Sequence, residues 1–188
     1  MCHNFLVKIH SSNHCQRSHW LKKPILSGQY RHWLVDRGSL TLRLQQRYPD
    51  FKVKPTLVTY AKLTMDEAAT LSVLPRNAAM IREVLLMGNN QAVVFAHSVL
   101  PRKSLRGHWL GLSRLGNKPL GATLFADPQV MRTPLRYKKL SPQHVLYQQA
   151  AKFLIDHPPY LWARRSVFTL NYANIMVTEV FLPQISTT

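Results

Sequence analysis

The stretch AMIREVLLMGNNQAVVFAHSVL, residues 79–100, decides the fold. Two runs rich in β-branched and large apolar residues flank Gly88-Asn89-Asn90, residue types that tolerate the positive φ angles of a tight hairpin turn. The pattern predicts strands over residues 79–87 and 91–100. In the first, period-2 alternation puts Arg82 on one face with Met80, Val84 and Leu86 and turns Glu83 to the other. In the second, His97 falls on a face with Val93, Phe95 and Val99.

Outward from this hairpin the same signals recur. Residues 51–63 are β-branched and aromatic and read as a strand, with Pro55 marking an edge or a bulge. Thr64-Met65-Asp66-Glu67 has capping-box spacing and opens a brief helical turn ahead of Pro75. A helix is expected from Ser104 towards Leu115, ended by Gly116-Asn117 and Pro119, and a strand over residues 129–140. Ser141-Pro142 then caps the clearest helix of the chain, with Val145, Leu146, Phe153 and Leu154 on one face and Pro158-Pro159 beyond its end. A second hairpin closes the chain: residues 162–170, a turn through Tyr172-Ala173-Asn174, and residues 175–182.

Upstream, residues 30–36 around Trp33 and Leu34 read as a short helix. Gly38 interrupts it, and Ser39 caps a second one through Leu40, Leu44 and Tyr48 that Pro49 stops. Residues 1–29 show no sustained period and read as a loose polar and basic extension, which leaves residues 30–188 as the folded domain. About six strands joined mostly by hairpins make an α+β domain, a single antiparallel sheet with helices packed against it.

Composition narrows the function classes. The chain has 188 residues, 46% of them hydrophobic and 10% aromatic, enough for a real core and unlike a disordered basic tail. No apolar run approaches the roughly 20 residues that cross a bilayer, and the first thirty or so lack a secretory centre, so a cytoplasmic protein is expected. Cys2 and Cys15 are the only cysteines, which excludes a disulfide framework and a Cys-rich zinc site. His3, His10 and His14 with Cys15 match no compact ligand spacing, and no metal is expected. The net charge is +17, a surplus that favours anionic partners. The Lys and Arg residues form no block or aromatic-interleaved repeat, so a solvated basic surface is the plainer reading and nucleic acid is not expected as a partner.

Charges on apolar strand faces are the informative positions. Glu179 shares its face with Ile175, Val177 and Phe181 and, like Arg82, is expected inside. Burying one unpaired charge costs several kcal/mol. Either Arg82 and Glu179 pair with each other across the sheet, or each serves one end of a ligand, the guanidinium gripping a carboxylate and the carboxylate a hydroxyl. His97 is either a satisfied core or rim residue or a catalytic one. Arg164 and Arg165 point to opposite faces, so at least one is expected to be a surface charge. The four tryptophans are expected to pack the core rather than stack on a ligand.

The strings themselves resemble the bacterial chorismate pyruvate-lyase family. They are Trp33-Leu34 followed by Gly38-Ser39-Leu40-Thr41, Arg82-Glu83-Val84-Leu85-Leu86, and Ser98-Val99-Leu100-Pro101. Further on come Leu115-Gly116-Asn117-Lys118-Pro119-Leu120-Gly121 with Leu124-Phe125, then Trp162-Ala163-Arg164-Arg165-Ser166, and Thr178-Glu179-Val180-Phe181-Leu182-Pro183. The resemblance runs in order from about Tyr30 to Pro183. It implies a fold of one antiparallel sheet with helices, and a reaction in which chorismate loses its enolpyruvyl group as pyruvate and becomes 4-hydroxybenzoate, the entry to ubiquinone biosynthesis, with no cofactor. It puts the carboxylate-gripping arginine at Arg82 and the acidic, catalytic residue at Glu179. It also implies backbone contacts at Leu120 and a pocket wall at Leu40. The family carries a second arginine where this chain has His97, so protonated His97 or Arg165 is the expected partner of the second carboxylate.

Two other classes remain beside this expectation. One is a non-catalytic small-molecule-sensing domain of the kind found in bacterial transcription regulators, for which residues 1–29 are too few to supply the usual DNA-binding domain. The other is a basic nucleic-acid module, supported by charge alone. The charge also allows peripheral contact with an anionic membrane, and a monomer is expected.

Overall fold

A computed structural model describes residues 19–107 and 109–186. His3, His10, His14 and Cys15, whose spacing matched no metal-ligand motif, lie outside the described residues, as does most of the N-terminal extension. What is described of that extension is seated on the domain: Leu21 bridges to Tyr137, and a single turn of 3-10 helix covers Gly28–Tyr30. Helix α1 (Arg31–Leu34) follows, then α2 (Leu40–Arg47), whose N-cap Ser39 accepts a hydrogen bond from the Leu42 amide. Strand β1 (Lys52–Lys62) slips register between Pro55 and Leu57, the bulge that the proline imposes on an edge strand. Helix α3 (Met65–Leu71) opens on a complete capping box between Thr64 and Glu67.

β2 (Ala78–Gly88) and β3 (Gln91–Pro101) form the expected hairpin, with Asn89 and Asn90 both at positive φ in the turn. The helix expected from Ser104 to Leu115 is instead two pieces, α4 (Arg102–Leu105) and a 3-10 turn over Leu110–Arg114, with Gly107 and Gly111 in the segment where a continuous helix would have run. α5 (Leu120–Ala126) begins directly after Pro119. The single strand expected over residues 129–140 is also two, β4 (Met131–Arg132) and β5 (Arg136–Leu140), broken around Pro134, which cannot donate to a ladder. Helix α6 (Val145–Ala151) is capped by the His144 side chain, not by Ser141, and buries Tyr147, Ala150 and Ala151 while Val145 is exposed. β6 (Leu161–Leu170) and β7 (Ala173–Phe181) make the last hairpin, turning at Asn171-Tyr172, one step earlier than expected.

The sheet therefore has seven strands, in the order β1-β2-β3-β7-β6-β4, with β5 also paired to β6 and every pairing antiparallel. Helices cover both faces, so nearly every residue of β2, β3 and β6 is buried and the central strands lack polar alternation. On one face the apolar side chains form two clusters, one around Trp33, Leu44, Val94 and Phe181 and one around Leu100, Trp109, Leu124 and Ile175. The opposite face repeats the arrangement, with clusters around Phe95, Leu140, Ala150 and Val180 and around Leu71, Ile81, Val99 and Met176. Trp33, Trp109 and Trp162 pack in this interior as expected, whereas Trp20 is only half-buried. Among the described residues no helix is long and apolar enough to cross a membrane.

Candidate active site

Between the two clusters of the first face lies a cavity whose walls carry Arg82, Arg132, Glu179, Ser98 and Ser166 on the sheet and Leu40, Thr41, Leu120, Gly121 and Leu124 on α2 and α5. Its free volume is about 40 Å³, room for some three waters at roughly 10–15 Å³ each. α2 and α5 close over it tightly: a Cβ on Gly121 would meet Thr41 Oγ1 at 3.0 Å.

The register puts Arg82 opposite Ser98, Ser98 opposite Val177, and Val177 opposite Ser166. Glu179 stands in the next row of the same face, opposite Ala96 and Arg164. Arg82 and Glu179 are thus two strands apart, roughly 10 Å at the backbone, and the structure does not pair them. Each has its own partners. Arg82, only 3% exposed, donates from Nη2 to the carbonyls of Gly116 (3.0 Å) and Lys118 (3.1 Å), and so is fixed by the loop that leads into α5. Burial pulls its guanidinium below the ordinary arginine range. Glu179 accepts from Arg164 Nε at 2.5 Å. Arg164 is itself fully buried and donates from Nη1 to the carbonyls of Trp33, Leu34 and Asp36 at 2.7, 3.4 and 2.6 Å, tying the end of α1 to the sheet.

Arg132 has no signal in the sequence pattern. It sits in the two-residue strand β4, donates from Nε to Ser166 Oγ and from Nη1 to the Arg37 carbonyl at 2.8 Å each, and lies 5.2 Å from the rings of both Phe125 and Phe168. Burial lowers its pKa, the Glu179 charge opposes that, and Arg164 adds to it. Together Arg82, Arg132 and Arg164 against Glu179 leave two positive charges in excess at a largely enclosed site. That balance suits a dianion, because a buried charge needs a partner.

His97 and Arg165 are not in this cavity. Adjacent to Ser98 and Arg164 in sequence, they point to the other face, where His97 Nδ1 meets Glu83 Oε1 at 3.1 Å and Nε2 meets Glu67 Oε1 at 3.0 Å, while Arg165 pairs with Asp66. His97 therefore cannot grip a carboxylate held by Arg82, and the expected second-carboxylate role falls to neither residue. Arg164 and Arg165 are both buried, against the expectation that one would be a surface charge. Among the described residues no group of His, Cys, Asp and Glu is placed to hold a metal ion.

Residues 14–188 match the family model described as Chorismate lyase. A protein from Methylobacillus flagellatus described as probable chorismate pyruvate-lyase is 48% identical over 169 residues, covering 90% of this chain and 95% of its own. One from Nitrosomonas europaea with the same description is 46% identical over 167 residues, covering 88% and 94%. Among solved structures, a GntR-family transcriptional regulator from Bacillus cereus aligns with a TM-score of 0.55 at 13% identity, over 72% of this chain and 93% of that one. The effector domain of PhnF from Mycobacterium smegmatis aligns at 0.57 and 14%, over 78% and 90%. At such identities these two share the fold alone.

Proposed function

The chain belongs to the chorismate lyase family, and we propose that it converts chorismate to 4-hydroxybenzoate and pyruvate in the cavity between Arg82 and Glu179. The observation that carries this reading is the separation of those two charges on one sheet face. Roughly 10 Å between strands matches the length of a six-membered ring bearing para substituents with a hydrogen bond at each end, and because the free volume holds only some three waters, α2 and α5 have to part to admit it. In this reading Arg82 binds the ring carboxylate, assisted by the amide-rich first turn of α5 at Leu120. Glu179 accepts the hydroxyl at ring C4, and Leu40 closes the pocket. Arg132, rather than His97 or Arg165, takes the pyruvyl carboxylate.

The chemistry asks little of the protein beyond orientation and charge. The C4–H bond breaks as the C3–O ether bond breaks, the ring gains aromaticity, and the enolpyruvyl methylene gains a proton to become the methyl of pyruvate. The proton passes to that methylene directly or by way of Glu179. Arg132, beside the departing group, opposes the charge that collects there. The product is the aromatic ring required for ubiquinone, the pathway that the resemblance implies. The regulator-like sensing domain remains the alternative that the shared fold allows. It is disfavoured by relatives matched over nearly their whole length.

The test is to mix the purified chain with chorismate and follow 4-hydroxybenzoate absorbance. Glu179→Gln is expected to lower kcat by 10²–10⁴-fold, the usual contribution of a positioned acid or base, with product affinity largely kept. Full rate in Glu179→Gln removes the proton-transfer role, and no 4-hydroxybenzoate from the wild type removes the enzymatic reading.

A further inference from the structure

Three loops meet at one end of the sheet, where β1, β3 and β6 end and β2 and β7 begin. They are residues 72–77 between α3 and β2, the segment from Arg102 to Arg114 that holds α4 and the 3-10 turn, and the β6–β7 turn at Asn171-Tyr172. Hydrogen bonds tie them together from inside. Ser104 Oγ donates to the Asn174 carbonyl at 2.9 Å, Trp109 Nε1 to the Ala173 carbonyl at 2.8 Å, and Asn174 Nδ2 to the Leu71 carbonyl at 3.3 Å. Outward the loops present cations: Arg76, Arg102, Lys103 and Arg106 are exposed, and none of them pairs with a carboxylate among the described residues. The three loops contain no Asp or Glu. Most of the chain's acids are engaged elsewhere. Asp66, Glu67, Glu83 and Glu179 are paired over the sheet faces, Asp36 pairs with Arg43, and Asp50 and Asp127 accept from turn amides. The field at this end is therefore positive, with no counter-charge in the loops themselves.

Among these cations stand apolar side chains in water: Tyr172 is 98% exposed, Leu110 63% and Leu74 54%. Tyr172 also has a φ of 63°, in the left-handed region that Asn or Gly occupies with less strain than a bulky side chain. Being almost wholly exposed, its ring recovers little of that strain by packing within the chain. A lipid interface answers both features, since anionic headgroups match the cations and the interfacial layer takes up tyrosine rings and aliphatic side chains. A nucleic-acid backbone would match the charge and leave Leu74 and Leu110 in water. The apolar tips also stand on three separate loops, unlike the single packed cluster that anchors a protein partner. We propose that this end of the sheet docks on an anionic phospholipid surface, with Arg76, Arg102, Lys103 and Arg106 against the headgroups and Leu74, Leu110 and Tyr172 entering the interfacial layer. None of these side chains lines the Arg82 cavity, so the proposal is independent of the lyase reading.

The full chain is sedimented with phosphatidylcholine vesicles, with and without phosphatidylserine, at physiological ionic strength. It is expected to partition onto the vesicles that contain phosphatidylserine and not onto pure phosphatidylcholine. Arg102→Gln combined with Lys103→Gln should weaken partition about tenfold or more. The charge-matched pair Lys52→Gln and Lys54→Gln, at the start of β1 and so at the far end of the sheet, should change it by less than about twofold. Tyr172→Asn, which suits the turn, should weaken it about threefold or more. Each of four results overturns the proposal: no partition onto the phosphatidylserine vesicles, equal losses in the two charge pairs, partition that Tyr172→Asn leaves unchanged, or tighter binding to a DNA duplex than to the vesicles at equal phosphate concentration.

Discussion

The two faces of the central sheet are built from neighbouring residues of the same strands and reach opposite solutions. Arg82 and Glu83, Ser98 and His97, and Arg164 and Arg165 are adjacent pairs, one member of each on either side. On the Arg82 side positive charge exceeds negative in a cavity largely enclosed by α2 and α5, and under the proposed function the substrate supplies the counter-charge. On the His97 side the protein supplies its own counter-ions. The first turn of α3 brings Asp66 and Glu67 down onto Arg165 and His97, and Glu83 completes a carboxylate–imidazole–carboxylate chain. A buried charge left for a ligand is catalytic capacity. A buried charge matched from within is mainly architecture, and here it also lines a larger, more open cavity on that face.

This contrast can be broken most directly at His97. If the residue is architectural, His97→Ala leaves Glu67 and Glu83 buried without a cation and costs about 3–5 kcal/mol of unfolding free energy, measured by urea denaturation. The KM for chorismate stays within about twofold at a temperature where the variant is folded, since a residue outside the site alters no substrate contact. A large rise in KM with stability intact would put His97 back in the site. Arg82→Ala should do the reverse, lowering kcat/KM by about 10²–10³-fold, the scale for losing a buried charge-assisted contact, while the thermal transition moves little. Arg132→Ala should raise KM about tenfold or more with a smaller change in kcat, and an unchanged KM would remove it from the pyruvyl end.

The His97 face also predicts a pH signature. Burial pulls the His97 pKa down, but hydrogen bonds and charges from Glu67 and Glu83 outweigh it and raise it above the ordinary histidine range. A raised folded-state value means that this contribution is complete below about pH 6.5, the unfolded value, and is lost as pH rises through the folded value. Glu67 behaves oppositely. Although burial raises its pKa, contacts with His97 and Thr64 leave it lowered, so its contribution is present above the ordinary glutamate value and falls away in acid. Denaturation measured from pH 5 to 9 should show stability declining on the alkaline side, and His97→Gln should flatten that limb. The smallest effect is expected at Ser39→Ala, where loss of the α2 N-cap costs about 1 kcal/mol and loosens the helix that carries Leu40 over the cavity.

Local patterns foretold much of this. Hairpin chemistry at Gly88-Asn89-Asn90, the capping box at Thr64 and the Ser39 cap all formed where short-range rules put them. Alternation placed Arg82 and Glu179 each among apolar neighbours of its own strand, and the register across β2, β3 and β7 puts them on one face. Alternation also kept His97 with Phe95 and Val99 and turned Arg164 and Arg165 apart, as the structure does; the second-carboxylate role expected of His97 or Arg165 came from the resemblance, and the structure puts both on the face away from Arg82. Arg132 was missed for another reason. It lies in a two-residue strand after a loop, where no period exists to show burial, and only pairing with β6 brings it to the cavity.

By itself the chain determined its strands, its turns, its family resemblance and the burial of Arg82, since each depends on neighbours a few residues away or on a pattern along one strand. Tertiary structure decided which charges meet: Glu179 with Arg164, His97 with Glu67 and Glu83, and Arg82 with no carboxylate but the carbonyls of Gly116 and Lys118. Those pairings depend on register across five strands and on helices arriving from distant parts of the sequence. In a low-dielectric interior the partner, not the residue type, determines whether a charge holds the fold together or waits for a ligand.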